Sequence, residues 1–327
     1  MQIQITDPNL KKKLFDKLTN RTKRFFISIL TFFKNNFLIF YINNKYKKII
    51  SSNDENYKND LKTLNEIKFK NNENKKINIF IFFVDTINST YLEKRKINSK
   101  NIFDEYKILY NFCNHIDKKY PDHQILLFTD FSSVIKKNIN ANVVRFDFNP
   151  QYPMYSRNRL MKIYVNSNKF DQNTIFLDFD TILNFNTKKF FNNNFDIALT
   201  YRLNDKLMPI NEGVIFAKVQ NKDKVIDYFN KLNQIYRYLS KDKIINMIFD
   251  NILIWRGGQL SLAASFQWKK LILGHNYVDK TNFLILDSYY YNFTPTKSIS
   301  HEELFSKKIL HLKGWVKGYQ VEILNHL

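Results

Sequence analysis

Short apolar runs that stop at a carboxylate constrain this chain most. Ile77-Asn78-Ile79-Phe80-Ile81-Phe82-Phe83-Val84 stops at Asp85, Gln124-Ile125-Leu126-Leu127-Phe128-Thr129 at Asp130, and Ile175-Phe176-Leu177 at Asp178-Phe179-Asp180. A run apolar at nearly every position is a strand buried on both faces, and such a strand needs helices above and below its sheet. Helical patterns are predicted between the runs, over 101–116, 155–166, 223–238 and 258–265, with further short strands over 142–146, 196–200 and 213–217. Strands alternating with helices predict an α/β fold with a largely parallel sheet. No internal repeat is visible.

The carboxylates at the strand ends carry the chemistry. Asp178 and Asp180 are spaced i, i+2, so in extended backbone they share a face. Open α/β sheets bind ligands beyond the carboxyl ends of their strands, where Asp85 can also accept from a ribose hydroxyl or a base NH. Paired carboxylates there suit a hard divalent cation that also holds phosphates; the competing reading is an ordinary acidic turn. The chain has only six glycines and neither a GxGxxG nor a Walker loop. Bound phosphates must then be neutralised by a cation and by side chains rather than cradled by backbone.

The formal charge is +21, which favours polyanionic partners: nucleic acid, anionic lipid or phosphorylated substrates. Lys, Asn, Ile and Phe are all abundant together, so arginine is the more telling cation; Arg157, Arg159, Arg202 and Arg256 lie in or near the segments argued here. A single cysteine, Cys113, excludes an intrachain disulfide and a cysteine-based zinc cluster.

Three regions are expected: a basic amphipathic helical region over 1–50, a polar linker over 51–76 with a short helix near 61–67, and the main domain over 77–327. In the first, Leu14, Leu18, Phe25, Phe26, Ile29, Leu30, Phe33 and Phe37 recur at helical spacing with basic residues between them. Eleven Lys/Arg against Asp7 and Asp16 give this region a net +9. Lys34-Asn35-Asn36 interrupts the apolar stretch, which makes it a poor membrane span and a poor signal peptide. Residues 10–50 suit an anionic membrane surface, or else pack on the main domain or a partner.

The order of segments is Tyr155 and Arg159 on a helix, Ile175 to Asp180, Asp196-Ile197-Ala198-Leu199-Thr200, Asn211-Glu212-Gly213-Val214, Trp255-Arg256-Gly257-Gly258-Gln259, and His311-Leu312-Lys313-Gly314-Trp315-Val316-Lys317. Over about residues 77–320 this order resembles the metal-dependent GT-A glycosyltransferases, in particular the glycogenin-like and lipopolysaccharide galactosyltransferase family. The resemblance implies a Rossmann-like GT-A sheet. It implies that Asp178, Asp180 and His311 ligate Mn²⁺ or Mg²⁺, that Lys317 and Gly314 meet the nucleotide diphosphate, that Arg159 holds phosphate or donor sugar, and that Asp85 meets the nucleoside. Asn211 and Gln259 would face the donor sugar near its anomeric carbon. The implied reaction is sugar transfer from a nucleotide-sugar donor, a UDP-sugar, to a hydroxyl acceptor, with retention.

Each assignment has an alternative. Asn211 can cap a turn before Gly213, Gln259 can start a helix, Arg159 can snorkel, Tyr155 can pack, and His115, His123, His275, His301 and His326 are expected to be structural or on the surface. Arg202 and Arg256 are candidates for an acidic acceptor group. Glu212 and Asp250 are the nearest carboxylates for a base, should the reaction invert. Gly258 departs from the family pattern, which has Asp there, and this puts the donor-sugar contacts in question. The rival functions are a glycosyltransferase-like scaffold without catalysis and a basic nucleic-acid-binding protein. The chain lacks a recognisable nucleic-acid-binding motif. A basic N-terminus and a sugar-transfer domain together suit surface polysaccharide or lipooligosaccharide synthesis at the inner face of the cytoplasmic membrane, on a lipid-linked acceptor.

Overall fold

The computed structural model describes residues 2–3, 21–50, 57–69, 75–85, 104–148, 153–295 and 299–325, and gives the backbone alone for 2–3, 21–29, 48–50, 248–255 and 315. The positions expected to be amphipathic at 13–18, and linker residues 51–56 and 70–74, lie outside the described residues. In chain order the elements are β1 (Gln2–Ile3), α1 (Arg21–Ile50), α2 (Lys58–Glu66), β2 (Ile77–Phe82), α3 (Glu105–Lys119), β3 (His123–Thr129), β4 (Asn142–Arg145), α4 (Pro153–Asn166) and β5 (Asn173–Asp178). Then come β6 (Thr181–Leu183), α5 (Thr187–Phe191), β7 (Ile197–Tyr201), β8 (Ile210–Ala217), α6 (Lys222–Lys241), α7 (Lys243–Ser265), β9 (Gly274–Val278) and β10 (Thr281–Asp287). The chain finishes with α8 (Ser288–Tyr291), β11 (Ile299–Ser300), α9 (His301–Ser306), β12 (Ile309–His311), a 3₁₀ turn (Gly314–Tyr319) and α10 (Gln320–Asn325).

Eight strands form one mixed sheet in the order β4-β3-β2-β5-β8-β7-β10-β9. The β4-β3-β2-β5 half is parallel throughout, as is the β7–β10 pair, while β8 runs antiparallel to both β5 and β7. This is the helix-flanked α/β sheet expected from the sequence. In β2, Phe80 and Phe82 pack with Phe128, Phe176, Leu160 and Phe229 on one face. Ile79 and Ile81 pack with Leu109, Phe112 and Phe216 on the other. Both pleat faces are therefore buried, which is why the run needs no polar alternation; each fully buried side chain of this size contributes about 1.5–3 kcal/mol.

Two elements differ from expectation. The helix predicted over 258–265 is the last part of α7, which starts at Lys243 because the Asp242 side chain caps it, accepting from the Ile244 and Ile245 amides. Gly257 and Gly258 thus lie inside a helix, and Gln259 does not start one. The hairpin β9–β10 was not anticipated; it adds an edge to the sheet beyond β7.

The helix α1 is continuous through Lys34-Asn35-Asn36. Its Leu38, Ile42 and Tyr46 form a stripe at i, i+4, i+8, buried against Leu207, Met208, Ile235, Leu239, Ile245 and Leu260. Tyr41 donates to Asp242 Oδ2 at 3.0 Å, and Lys45 lies 3.5 Å from the same oxygen. Leu30, Phe32, Phe33, Phe37 and Phe40 are left exposed. Among the described residues, no helix is long and apolar enough to cross a membrane.

Candidate metal centre

The parallel strands β2, β3 and β5 end at one edge of the sheet, and this places Asp85, Asp130 and Asp178 along one rim. Because β8 runs antiparallel to β5, its beginning lies at this rim: Leu177 pairs with Val214, so Asn211, Glu212 and Gly213 flank Asp178. The register of β7 against β8 shifts between Leu199 and Thr200, where Ile215 and Asn211 are the respective partners. Glu212, Gly213 and Val214 fall between these partners and form a bulge against β7, and such a bulge re-aims side chains.

His311 arrives by a separate ribbon. Beyond Asp180, β6 pairs antiparallel with β12, with His311 opposite Thr181. The Leu312 amide donates to the Asp180 carbonyl at 2.8 Å and locks the register. The ligand atoms of Asp178, Asp180 and His311 thereby lie within 4.8 Å of one another. His311 Nε2 is 3.4 Å from Asp178 Oδ2 and 3.1 Å from Asp180 Oδ1.

Each carboxylate turns its other oxygen to a cation. Arg157 Nη2 is 3.2 Å from Asp178 Oδ1, and Lys317 Nζ is 3.0 Å from Asp180 Oδ2. His311 Nδ1 donates to Asn292 Oδ1 at 2.8 Å, and Asn292 Nδ2 donates in turn to Thr200 Oγ1 at 3.2 Å. With its Nδ1 proton so engaged, a neutral His311 presents the Nε2 lone pair to the two carboxylates. Three acceptors then face one another, and the group that complements them is a cation: a proton on Nε2 or, in its place, a metal ion. Ligands about 2.1 Å from an octahedral ion sit about 3.0 Å apart at cis positions, close to the separations seen here. Gly213 completes the cradle: a Cβ there would lie 2.6 Å from Asp178 Oδ2 and 2.7 Å from His311 Cε1. The donor set fits Mn²⁺ or Mg²⁺, with the imidazole favouring Mn²⁺.

The surrounding electrostatics are polarised. Burial works to raise the Asp180 pKa, but Lys317, and the His311 ring when it is protonated, outweigh it and hold the carboxyl well below its usual range. Burial likewise opposes the Lys317 ammonium, yet Asp180 and Glu105 keep its pKa above the ordinary lysine value. Lys313 is depressed by burial, against the pull of Asp178. The Glu212 carboxyl is pushed up to about 7, chiefly by burial and against the opposing effect of Arg157.

The other expected site residues are placed as follows. Gly314 opens the 3₁₀ turn that carries Lys317, at φ 58°, a conformation that favours glycine. Asp85 follows β2, and its Oδ2 accepts from the Tyr106 hydroxyl at 3.1 Å. Asn211 is buried and its Oδ1 accepts from the Gly213 amide at 2.9 Å, so the turn-capping contact is made. Gln259 Oε1 accepts from Arg202 Nη2 at 2.7 Å, and Arg202 also donates to the Met208 carbonyl and pairs with Asp205. Arg159 pairs with Asp60 of α2 rather than with the paired aspartates; Arg157, two residues earlier, meets Asp178 instead. Residues i and i+2 on a helix point about 200° apart, so only one of the two can face the sheet. Asn292, Lys313 and Glu105 were not anticipated, and nothing local in the sequence marks Asn292.

No protein-family model matches the chain. No curated protein matches it either. Among solved structures it is similar to the galactosyltransferase LgtC in complex with donor and acceptor sugar analogues, at 10% identity over 76% of this chain and 96% of that one, with a TM-score of 0.42. It is also similar to a glycosyltransferase involved in the glycosylation of the major capsid of PBCV-1 (9% identity, 77% and 100% covered, TM-score 0.43). A third is the glycosyltransferase GlyE of Streptococcus pneumoniae TIGR4 (11% identity, 76% and 60% covered, TM-score 0.42).

Proposed function

We propose that this chain is a metal-dependent GT-A glycosyltransferase that moves a sugar from a nucleotide-sugar donor to a hydroxyl acceptor. The observation that carries this reading is the convergence of Asp178 Oδ2, Asp180 Oδ1 and His311 Nε2 on one point, with Lys317 on one flank and Arg157 on the other. Those three atoms would hold Mn²⁺ or Mg²⁺, and the bound ion would supply Lewis-acid neutralisation of a departing nucleoside diphosphate. Lys317 and Lys313 would stabilise the same developing charge, and Gly314 leaves space for the phosphates beside Lys317. Asp85, oriented by Tyr106, would accept from the nucleoside of a UDP-sugar. Gln259, held by Arg202, and Asn211, with its Oδ1 committed to Gly213 and its Nδ2 available as a donor, would bind the sugar. Glu212 is sealed beneath the rim at 1% exposure and is badly placed to serve as a base for an acceptor; this favours retention of the anomeric configuration.

The domain assigned to this chemistry spans 77–327, with 1–50 as a basic accessory region. In α1, seven Lys/Arg and no acidic residue accompany the exposed Leu30, Phe33, Phe37 and Phe40. This pairing suits peripheral attachment to an anionic inner membrane face, where a lipid-linked acceptor in surface polysaccharide or lipooligosaccharide synthesis would be found. The test is a panel of nucleotide-sugars with purified protein and Mn²⁺. Transfer or hydrolysis of one donor, lost in Asp178→Ala, is the expected result. Inactivity with every donor, together with no Mn²⁺ binding, overturns the reading.

A further inference from the structure

Beneath the metal centre lies a charge pair, and one member of it, Glu212, has no part in the proposed chemistry. Arg157 is 2% exposed and Glu212 1%. Arg157 Nη2 donates to the Glu212 carbonyl at 3.1 Å while also reaching Asp178 Oδ1, and its Nη1 lies 3.3 Å from Glu212 Oε1. The guanidinium is thus clamped between a metal-site carboxylate and a second carboxylate behind it. The space that the second carboxylate occupies is made by Gly258: a Cβ at that position would lie 1.8 Å from Glu212 Oε2 and 2.1 Å from Cδ. A glycine inside a helix costs about 1 kcal/mol relative to alanine, so this gap has a cost.

We infer that Glu212 is a positioning residue for the metal centre: it offsets the charge of Arg157 and so leaves Asp178 able to ligate a divalent cation, and Gly258 is the space that this carboxylate requires. The inference rests on the metal reading above. Without Glu212 the buried guanidinium has Asp178 as its remaining carboxylate partner among the contacts seen here. The full positive charge then opposes a cation bound to that same carboxylate, in an interior where screening is weak. The arrangement also accounts for a glycine at position 258. A carboxylate reaching the guanidinium from strand β8 occupies the volume that a side chain on helix α7 would fill.

The test measures Mn²⁺ affinity by calorimetry on the full chain at pH 8, where the Glu212 carboxyl is ionised, alongside thermal melting. Glu212→Gln, close in shape and uncharged, is expected to weaken Mn²⁺ binding by about tenfold or more. Glu212→Ala should weaken it similarly, and adding Gly258→Asp to that variant returns a carboxylate from the helix side and should restore most of the lost affinity. Gly258→Asp alone should melt early, since its Cβ meets Glu212. Mn²⁺ affinity in Glu212→Gln equal to that of the parent overturns the inference, as does a double variant no tighter than Glu212→Ala. Should Glu212→Gln fail to fold, the comparison of Glu212→Ala with the double variant decides. A parent protein that binds no Mn²⁺ refutes the metal reading itself, a result distinct from these.

Discussion

Two histidines in this molecule each lie beside aspartate, and their partners differ in kind. His311, at the rim, has Nδ1 bonded to Asn292 and Nε2 facing two carboxylate oxygens. His123, at the start of β3, has Nδ1 3.0 Å from Asp122 Oδ1 and Nε2 2.7 Å from Thr187 Oγ1. Thr187 can donate its proton, so every polar atom of the His123 ring is satisfied within the protein. Around His311 the facing atoms are all acceptors, and satisfaction has to come from outside. The lesson is that the number of carboxylates near a histidine says little; whether a donor is among its partners says whether an ion is wanted.

The largest break in this comparison is at the carboxylates. Asp178→Ala or Asp180→Ala should reduce Mn²⁺ affinity by more than about 100-fold, read by calorimetry, whereas His123→Ala should leave it unchanged. Next comes the ring's own support: Asn292→Ala frees the His311 tautomer and should cost about 10–100-fold in metal affinity, together with about 1–3 kcal/mol of stability because the buried His311 Nδ1 and Thr200 Oγ1 lose their partner. Gly213→Ala places a methyl against Asp178 and His311 and should weaken metal binding by a comparable or smaller factor, to the extent that those side chains shift. At the other histidine the effect is on stability alone. Thr187→Val leaves the His123 Nε2 buried without a donor and should cost about 1–3 kcal/mol in denaturant unfolding.

The smallest effect is a pH dependence. Burial lowers the His123 pKa, with Asp122 opposing and Lys188 adding to the shift. The unfolded chain therefore takes up a proton near the ordinary histidine pKa that the native His123 refuses. The stability associated with neutral His123 is complete above about pH 6.5 and declines as the pH falls below it. His123→Gln should make the unfolding free energy rise less with pH between about pH 5 and 7; His115, also lowered by burial, and Glu212, raised by burial and opposite in sign, supply the remaining slope. An unchanged slope would remove His123 from this account.

The α/β class was legible in the sequence because double-sided burial writes itself as unbroken apolar runs, as in β2 and β5. The paired aspartates were legible for a related reason: ionised groups do not enter such runs, so their position marks the strand end. His311 was reached only through its flanking Gly314 and Lys317 and the resemblance they support. The rest was not local. Arg157 and Arg159 are chemically identical and two residues apart, and the face on which α4 packs decides between them. Asn292 stands beside His311 because an isolated bridge joins Phe293 to Leu310. Gly258 looks like a weak point in a helix until the Glu212 carboxylate is seen to fill the gap beside it.

By itself, then, the sequence determined where strands end in charge and which residue types were available to meet a cation. Periodicity and ionisation are properties of short segments, and they survive without knowledge of the fold. The tertiary structure alone decided which arginine reaches Asp178, which oxygen of each carboxylate remains for an ion, and that an antiparallel β8 brings Glu212 beneath the rim. Those outcomes depend on distances between segments far apart in the chain, which only packing sets.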